Sequence, residues 1–451
     1  MTTAPLSPAV PTALGHPEGP GAAPPASDPL TTRLINAVRP EKGEIPAFIH
    51  VDPEVYAREL QRVFGRCWLF VAHESEVSRP GDFLAREMGI QPVIVSRGAD
   101  GVVRVLLNIC RHRGMRLACE DKGNSETLRC SYHGWSYGSD GKFLGAPYQR
   151  YAYAEGLDRP SLGLLQARTE TYRGLIFATW DPNAAPLEDY LGDMAFYLDI
   201  MVGRAEMEVV GVAQRWHVPS AWKLPAENFA SDAYHTATTH AFLSKLGLAQ
   251  GVDFGRLGYH VEAGGGHGLG IGVQDDGPWY PEELRAEYEE HLTPQQLALT
   301  DRIKNFHGNV FPNFSFLIPN LIEVDGHTVS GTTLRQWQPL GPDSIQVWSW
   351  YLVEKNAPSW WKELGRKTYI QTFGSSGMFE QDDTENWEHQ TRAALASLSR
   401  DDEVMYHYQM ALGRPAMADP PGPGTVYDGK YNEAAARGFY RAWLNMMVSE
   451  K

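Results

Sequence analysis

The chain has 451 residues, of which 43% are hydrophobic and 11% aromatic, so it can bury the cores of two or three domains and is not disordered as a whole. Its 40 Lys and Arg residues against 55 Asp and Glu residues give a formal charge of −15, which argues against nucleic acid or anionic membrane surfaces as partners. No run approaches ~18 apolar residues, and no signal-peptide pattern opens the chain. These properties predict a soluble, cytoplasmic protein.

The first elements in chain order are a tail and a short helix. A Pro- and Ala-rich composition predicts a flexible tail over residues 1–40. The segment 41–65 is expected to carry a helix from Pro53 to Phe64 that packs on the C-terminal domain.

A small all-β domain is predicted over residues 66–182, because short β-like runs follow one another from residue 68. Two of these runs are joined across Gly98–Gly101, which indicates a hairpin. The runs are Trp68–Ala72, Pro92–Ser96 and Val102–Asn108.

Residues 183–451 have a different pattern, with helices and strands in separate runs, which predicts an α+β domain with an antiparallel sheet. The glycine-rich stretch Gly264–Gly272 lacks the Lys-Ser/Thr of a phosphate-binding loop, so a flexible loop or a close-packed strand is expected there. The predicted elements are helices at Glu282–Asn305, Pro358–Thr372 and Asn432–Met447, and a hairpin of Val329–Gln338 with Ser344–Val353.

All four cysteines lie within residues 67–130, and two of them have a histidine close by in the sequence. Cys110 is followed by His112, and Cys130 is followed by His133. A Rieske [2Fe–2S] centre needs this mixed order, since one iron takes both cysteines and the other both histidines. A structural Cys2His2 zinc site is the alternative, although zinc fingers usually pair Cys with Cys and His with His. Without such partners, Cys67 and Cys119 are expected to be buried small hydrophobic residues.

A second metal site is indicated by His235 and His240, which are five residues apart. On a regular helix they would be separated by about 140° of rotation, so a bulged or kinked helix is needed to bring both rings to one ion. Far downstream, the stretch Phe379–Asn386 holds a cluster of carboxylates. Two histidines and one carboxylate are the ligand set of Fe(II) oxygenases, and a solvated acidic helix start is the alternative for the cluster.

Three motifs together resemble those of the large (alpha) subunit of Rieske non-haem iron aromatic-ring-hydroxylating dioxygenases, of the naphthalene and biphenyl dioxygenase type. The resemblance runs from about Pro53 to Met447 and implies a β Rieske domain with a helix-grip catalytic domain. Its motifs are C-x-H-x17-C-x2-H (Cys110, His112, Cys130, His133), D-x2-H-x4-H (Asp232, His235, His240) and Phe379–Asp383.

The resemblance also implies a role for individual residues. Asp232 would be the aspartate that links the mononuclear iron site to a cluster histidine of the neighbouring subunit. Asp382 is the alternative carboxylate for the mononuclear iron. The implied ligands are Cys110, His112, Cys130 and His133 for one [2Fe–2S] cluster and His235, His240 and Asp383 for one mononuclear Fe(II), and the implied pocket residues are Asn228, Phe229, His307, Phe373 and Phe379.

The implied activity is that of a terminal oxygenase that converts an aromatic substrate to a cis-dihydrodiol. It would use O2 and electrons from NAD(P)H, delivered by a reductase and often a ferredoxin, in an α3β3 hexamer with a small beta subunit. Two alternatives remain. One is monohydroxylation of an aromatic acid such as a salicylate or an anthranilate, and the other is a non-catalytic electron carrier or zinc-stabilised binding protein.

Overall fold

The computed structural model describes residues 28–153, 155–245, 257–275, 277–319, 323–324, 327–401 and 404–449. Its first elements are helix α1 (Pro29–Ala37), strand β1 (Glu44–Pro46) and helix α2 (Pro53–Arg62). The expected tail is wrong where it covers α1. The Asp28 carboxylate caps this helix by accepting the N–H of Leu30 at 3.1 Å, and Leu30 and Leu34 are buried in a core that α14 shares. Residues 1–27 lie outside the described residues.

The small domain is built on an antiparallel sheet in the order β2-β11-β10-β5-β4-β3-β6 and a separate three-stranded sheet in the order β7-β8-β9. The predicted hairpin is confirmed, since β4 and β5 pair and the N–H of Gly98 donates to the carbonyl of Val102 at 2.9 Å. The elements are β2 (Leu69–His73), β3 (Asp82–Met88), β4 (Gln91–Arg97), β5 (Val103–Leu107), β6 (Lys122–Asn124), β7 (Thr127–Arg129), β8 (Ser136–Gly138), β9 (Phe143–Gly145), α3 (Gln149–Ala152), β10 (Gln166–Tyr172) and β11 (Leu175–Thr179).

The large domain contains a long antiparallel sheet with helices packed on it, which confirms the predicted α+β class. Its helices are α4 (Leu187–Leu191), α5 (Met194–Leu198), α6 (Lys223–Ser231), α7 (Thr236–Thr239), α8 (Phe242–Lys245), α9 (Arg285–His291), α10 (Pro294–Thr300), α11 (Ser359–Thr372), α12 (Met378–Ala394), α13 (Ser397–Arg400) and α14 (Ala434–Val448). None of the helices in the described part of the chain is both long and apolar enough to cross a membrane.

The sheet of the large domain has the order β12-β21-β20-β17-β16-β15-β14-β23, and β13 also pairs with β21. Outside it, β18 pairs with β19 and β22 pairs with β1. The strands are β12 (Met207–Val209), β13 (Gln214–Val218), β14 (Gly258–Glu262), β15 (Gly268–Val273), β16 (Ile303–Val310), β17 (Phe314–Pro319), β18 (Glu323–Val324), β19 (His327–Thr328), β20 (Thr332–Gly341), β21 (Ser344–Glu354), β22 (Met405–His407) and β23 (Thr425–Asp428).

Helix α6 lies on strands β15 to β17 and against α14, and glycines allow it to come this close. A Cβ at Gly268 would lie 3.0 Å from the carbonyl oxygen of Ala230 in α6 and 2.4 Å from the Cβ of Ala435 in α14. The stretch Gly264–Gly272 therefore ends in the close-packed strand that was one of its two expected forms.

Most predicted elements of the large domain are found with bounds shifted by a few residues. The predicted β20–β21 hairpin is confirmed, with β20 starting at Thr332. The predicted helix Glu282–Asn305 is wrong at its end. A capping box at Thr293 starts a separate helix α10, and residues from Ile303 onward form β16 because they pair with β15 and β17.

The two domains are held together by hydrogen bonds from the large sheet. The Gln336 side chain of β20 donates to the carbonyl of Phe70 at 2.8 Å, and the Trp350 indole of β21 donates to the carboxylate of Glu76 at 3.0 Å. These contacts fix the small domain beside strands β20 and β21.

Candidate metal centres and active site

Two loops at one end of the small domain carry the Cys-His pairs, and they have the same backbone geometry. In each loop the cysteine N–H donates at 2.8 Å to the carbonyl five residues later, and the glycine four residues later donates its N–H to the cysteine carbonyl at 2.9 Å. Both glycines have a positive φ, +77° at Gly114 and +72° at Gly134, which favours glycine at these positions. The repeated pattern in the sequence is therefore a repeated structure.

The four side chains of these loops face one another. Cys110 and Cys130 are buried, and the His112 and His133 rings lie 4.5 Å apart between centroids. Nδ1 of His112 is buried and has no hydrogen-bond partner among the described residues, so it is available to a metal. Trp135 stacks on the His112 ring at 4.8 Å and fixes its orientation.

The donor set suits two irons better than one zinc ion. Only His235, His240 and Asp383, among the described residues, form a group of three or more His, Cys, Asp or Glu side chains close enough for one ion. The loop ligands are spread more widely, as a cluster that gives two cysteines to one iron and two histidines to the other requires. Burial raises the pKa of the Cys110 thiol. The Tyr137 hydroxyl beside the sulfur has the opposite, smaller effect on this pKa.

The two remaining cysteines differ from each other. Cys67 is buried, as predicted for a small hydrophobic residue. The same prediction is wrong for Cys119, which is exposed because it lies in the loop between the first Cys-His turn and β6.

The second centre starts where helix α6 ends. The Asp232 carboxylate accepts the backbone N–H groups of Tyr234 and His235, both at 3.0 Å, and so stops the helix and redirects the chain. The short helix α7 then separates His235, before its start, from His240, after its end. Because the helix is broken here, the two histidines are not held on different faces of one regular helix, and both rings can reach the same point.

The carboxylate of Asp383 enters the same site from helix α12. Its Oδ1 lies 3.3 Å from Nε2 of His235 and 3.3 Å from Nε2 of His240, and the ligand atoms of the three residues lie within 4.8 Å of one another. Burial would raise the pKa of Asp383, but the two imidazoles outweigh it and hold the pKa well below its usual range. An ionised, buried carboxylate facing two imidazoles fits a divalent iron.

The neighbouring carboxylate, Asp382, lies on the outer side of the histidines. Its Oδ2 is 3.4 Å from Nδ1 of His240, and a third of its side chain is exposed. It can orient the His240 ring, whereas Asp383 faces the point where both rings converge.

Asp232 contacts the site from the surface side. Its Oδ2 lies 3.3 Å from Nδ1 of His235, and 36% of its side chain is exposed. Burial would raise its pKa, but His235 and the two backbone N–H groups lower it. The Asn228 amide lies 3.3 Å from Asp232 and 3.4 Å from Nδ1 of His235, so this predicted pocket residue also contacts the carboxylate–histidine pair.

Phe373 and Phe379, two of the other predicted pocket residues, form an aromatic wall beside His240. Phe373 and Phe379 stack at 5.2 Å with planes 7° apart, and Phe379 packs edge-on against His240 at 4.8 Å. The carbonyl of Phe229 lies 2.9 Å from Nδ1 of His307, and burial lowers the pKa of His307 to about 4, so its ring is neutral.

Sequence reasoning missed two residues that lie beside His307 and Phe229. Leu317 pairs with His307 across β16 and β17 and is nearly buried. Trp337 packs on Phe229 at 5.2 Å. Both lie in strands far from the motifs, and no alternation of apolar and polar residues singles them out, since Leu317 stands between Phe316 and Ile318 and Trp337 stands between two glutamines.

The chain matches known families in both domains. Residues 67–159 match the Rieske [2Fe-2S] domain family, and residues 188–449 match the family described as ring hydroxylating alpha subunit (catalytic domain). The alpha subunit of biphenyl 2,3-dioxygenase from Rhodococcus jostii is 38% identical over 92% of this chain and 91% of its own length.

Two further relatives give the same picture. The alpha subunit of benzene 1,2-dioxygenase from Pseudomonas putida is 38% identical over 93% of this chain and 94% of its own length. The crystal structure of naphthalene 1,2-dioxygenase from Rhodococcus sp. bound to indole matches with a TM-score of 0.89 and 40% identity, over 94% of this chain and 99% of that one. The chain therefore belongs to the alpha subunits of ring-hydroxylating dioxygenases, oxidoreductases that carry a Rieske [2Fe–2S] cluster and a mononuclear non-haem iron.

Proposed function

We propose that the chain is the oxygenase component that cis-dihydroxylates the ring of a neutral aromatic compound. The observation that carries this proposal is the His235–His240–Asp383 group beneath an aromatic wall. Protein ligands on one side of an iron leave positions open on the other, and an iron held there supplies activation of O2. Atoms balance when one arene, O2, two electrons and two protons give one cis-dihydrodiol.

The ligands we propose are those implied by the motifs. Cys110, His112, Cys130 and His133 hold the cluster in a Rieske domain over residues 66–182. His235, His240 and Asp383 hold the mononuclear iron in a catalytic domain over residues 183–451. Phe229, His307, Phe373 and Phe379, with Asn228 at the edge, line the substrate pocket.

Electrons come from NAD(P)H through a reductase, with or without a ferredoxin, and enter at the cluster. We propose that Asp232 then links the centres across a subunit interface of a cytoplasmic α3β3 hexamer with a small beta subunit. Its partial exposure in the single chain and its contact with His235 support this role. A carboxylate that accepts hydrogen bonds from histidines of both centres also orients their rings.

A neutral substrate is favoured over an aromatic acid because the buried cations are already engaged. In the described part of the chain, the buried Lys and Arg side chains each have a hydrogen-bond partner, and four of them pair with a carboxylate. The partners are Glu76 for Arg86, Glu354 for Arg204, Glu59 for Lys223, Glu380 for Arg335, the Asn305 side chain for Lys430 and backbone carbonyls for Arg437. A substrate carboxylate would need a free cation near the iron.

Product analysis with the reconstituted holoenzyme tests the proposal. With reductase and NADH, we expect cis-dihydrodiols from neutral arenes such as biphenyl, benzene or naphthalene, and little product from salicylate or anthranilate. Phenolic products from the acids alone would favour monohydroxylation. Metal analysis should give about three irons per chain, whereas an electron carrier would hold about two, and a zinc protein none.

A further inference from the structure

Arg335 is a fully buried arginine close to the proposed active site that no step described so far uses. It lies in the middle of strand β20, and its side chain is 0% exposed. Its Nε and Nη1 make no hydrogen bond of normal geometry among the described residues, although the Tyr369 hydroxyl lies nearby, and burying such groups without good partners costs free energy. A side chain kept at such a cost calls for a reason beyond stability.

The third nitrogen of this guanidinium contacts both ends of one turn. Nη2 donates to the carbonyl of Phe373, the residue that ends helix α11, and to Oε2 of Glu380 at 2.7 Å, in the first turn of helix α12. Glu380 is itself buried, and burial raises its pKa to about 7 against the opposing effect of Arg335. One side chain of the sheet therefore holds residues 373–380 at both ends.

The two ends of this turn carry the side chains that define the site. Phe373 and Phe379 stack on each other as part of the aromatic wall. Asp383 follows Glu380 by three residues, nearly one turn of the same helix, so the position of Glu380 sets that of the carboxylate. The two histidines come from a different segment, on either side of α7. The contacts of the 373–380 turn with the sheet therefore decide where the aromatic wall and the carboxylate lie relative to the histidines.

Strand β13 adds a second anchor from the neighbouring part of the sheet. The Gln214 side chain accepts the N–H of Ser375 at 3.0 Å, in the middle of the turn. The Trp216 ring lies 5.1 Å from the guanidinium carbon of Arg335 and restricts where that group can move.

We propose that Arg335 is a positioning residue that sets the substrate wall and the Asp383 carboxylate relative to the two histidines. The inference rests on the proposed function and goes beyond it, because it assigns product selectivity to a residue that contacts neither substrate nor metal. A displaced wall leaves the substrate ring misaligned with the activated oxygen, and an error of ~1 Å can cost about 100-fold in rate. O2 is then reduced by two electrons and two protons to hydrogen peroxide, and no C–O bond forms.

The test uses the holoenzyme with the double substitution Arg335→Met and Glu380→Gln, which removes both buried charges together. We expect unchanged cluster content and about one mononuclear iron per chain. We also expect about tenfold less dihydrodiol per NADH consumed, with peroxide accounting for the difference, and a changed ratio of regioisomers from a substituted arene. kcat should fall more than KM rises.

The chain offers a matched control in another buried arginine–glutamate pair, Arg204 with Glu354 of strand β21, at 2.7 Å. Arg204→Met with Glu354→Gln makes the same chemical change away from the turn. It should leave the regioisomer ratio and the peroxide yield at their original values. Altered selectivity in the control as well would show a general effect of core disruption and would overturn the assignment.

A second variant covers a failure of the double variant to fold. Arg335→Lys keeps the charge, but its single ammonium cannot reproduce the planar guanidinium geometry. We expect partial uncoupling and an intermediate regioisomer ratio. Original coupling and an original ratio in this variant would also refute the positioning role.

Spectroscopy separates this inference from the proposed function. The EPR spectrum of the nitric oxide adduct of the mononuclear Fe(II) reports ligand geometry without any turnover. A line shape changed by the Arg335 variants and not by the Arg204 control supports positioning even if the original protein dihydroxylates no arene tested. An unchanged line shape with unchanged product ratios rejects it while leaving the proposed function intact.

Discussion

The two metal centres of this chain are assembled in opposite ways. The cluster centre comes from two short loops with the same backbone pattern, and its two histidines are half-buried in a small β domain. The mononuclear centre is buried, and it joins a broken helix to a carboxylate that follows His240 by 143 residues in the chain.

This difference reflects what each centre has to do. A cluster that exchanges electrons with other proteins gains from ligands near the surface, since electron transfer requires a close approach of the partner. A site that activates O2 gains from burial, which excludes water and strengthens the fixed dipoles around the reacting atoms. The comparison predicts that each centre can be removed without the other.

The largest expected effect is loss of the mononuclear iron. In Asp383→Ala we expect mononuclear iron to fall from about one per chain to near zero, with no dihydroxylation, because the carboxylate that faces both rings is gone. The visible absorption of the cluster should persist. Metal analysis with EPR of the reduced protein measures both.

Asp382→Ala is the matched control for this experiment. Asp382 lies beside the outer nitrogen of His240, so we expect iron binding to weaken by about 10- to 100-fold and not to be lost. The opposite order, with Asp382 essential and Asp383 dispensable, would reassign the ligand.

The next effect concerns the link between the centres. Asp232→Asn keeps an oxygen for the N–H groups of Tyr234 and His235, so the helix end and both metals should remain. Turnover should fall by about 100-fold or more, because an amide cannot supply the negative charge of the carboxylate to histidines on both sides. Steady-state oxygen uptake with metal analysis decides, and full activity would refute the role of Asp232.

A smaller effect concerns the pH dependence of the stability of the large domain. His267 is buried in the large domain, where its ring accepts the N–H of Phe311 at 2.9 Å and donates to the carbonyl of Tyr190 at 2.8 Å. Burial lowers its pKa from 6.5 to about 4. Between these two pH values the unfolded chain is protonated at His267 and the folded chain is not. The free energy of unfolding therefore decreases by about 3 kcal/mol as the pH falls from about 6.5 to about 4.

His267→Gln can make both hydrogen bonds without titrating. We expect the unfolding temperature of the large domain to fall less between pH 7 and pH 5 in this variant than in the original protein, as measured by calorimetry. An identical pH dependence in the two proteins would contradict the assignment.

The smallest effect tunes the cluster. The Tyr137 hydroxyl accepts the N–H of Arg111 at 3.0 Å and lies 3.5 Å from the sulfur of Cys110, to which it can donate. Such a bond stabilises the more negative, reduced cluster. Tyr137→Phe should lower the reduction potential by roughly 20–60 mV, the equivalent of one hydrogen bond of about 0.5–1.5 kcal/mol. Potentiometry measures this, and the mononuclear iron content should not change.

The sequence predicted local features well and non-local ones less well. The Cys-His spacing, the β4–β5 hairpin and the β20–β21 hairpin depend on residues within about 30 positions of one another, and the structure has them. The prediction for Glu282–Asn305 failed because β16 pairs with β15 and β17, and such pairing overrides a local helical pattern. The predicted burial of Cys119 is wrong because the exposure of a loop residue depends on which distant residues pack against it.

The kinds of ligand, the order of the motifs and the α+β class could be predicted from the sequence, because these follow from residue type and short-range spacing. The tertiary structure decided which carboxylate faces the histidines, since Asp382 and Asp383 are adjacent and only the packing of α12 distinguishes them. The tertiary structure also shows that helix α6 ends at Asp232. This break allows two histidines that are five residues apart to reach the same point. The partnership of Arg335 with both ends of one turn arises from sheet packing, and no spacing in the sequence indicates it.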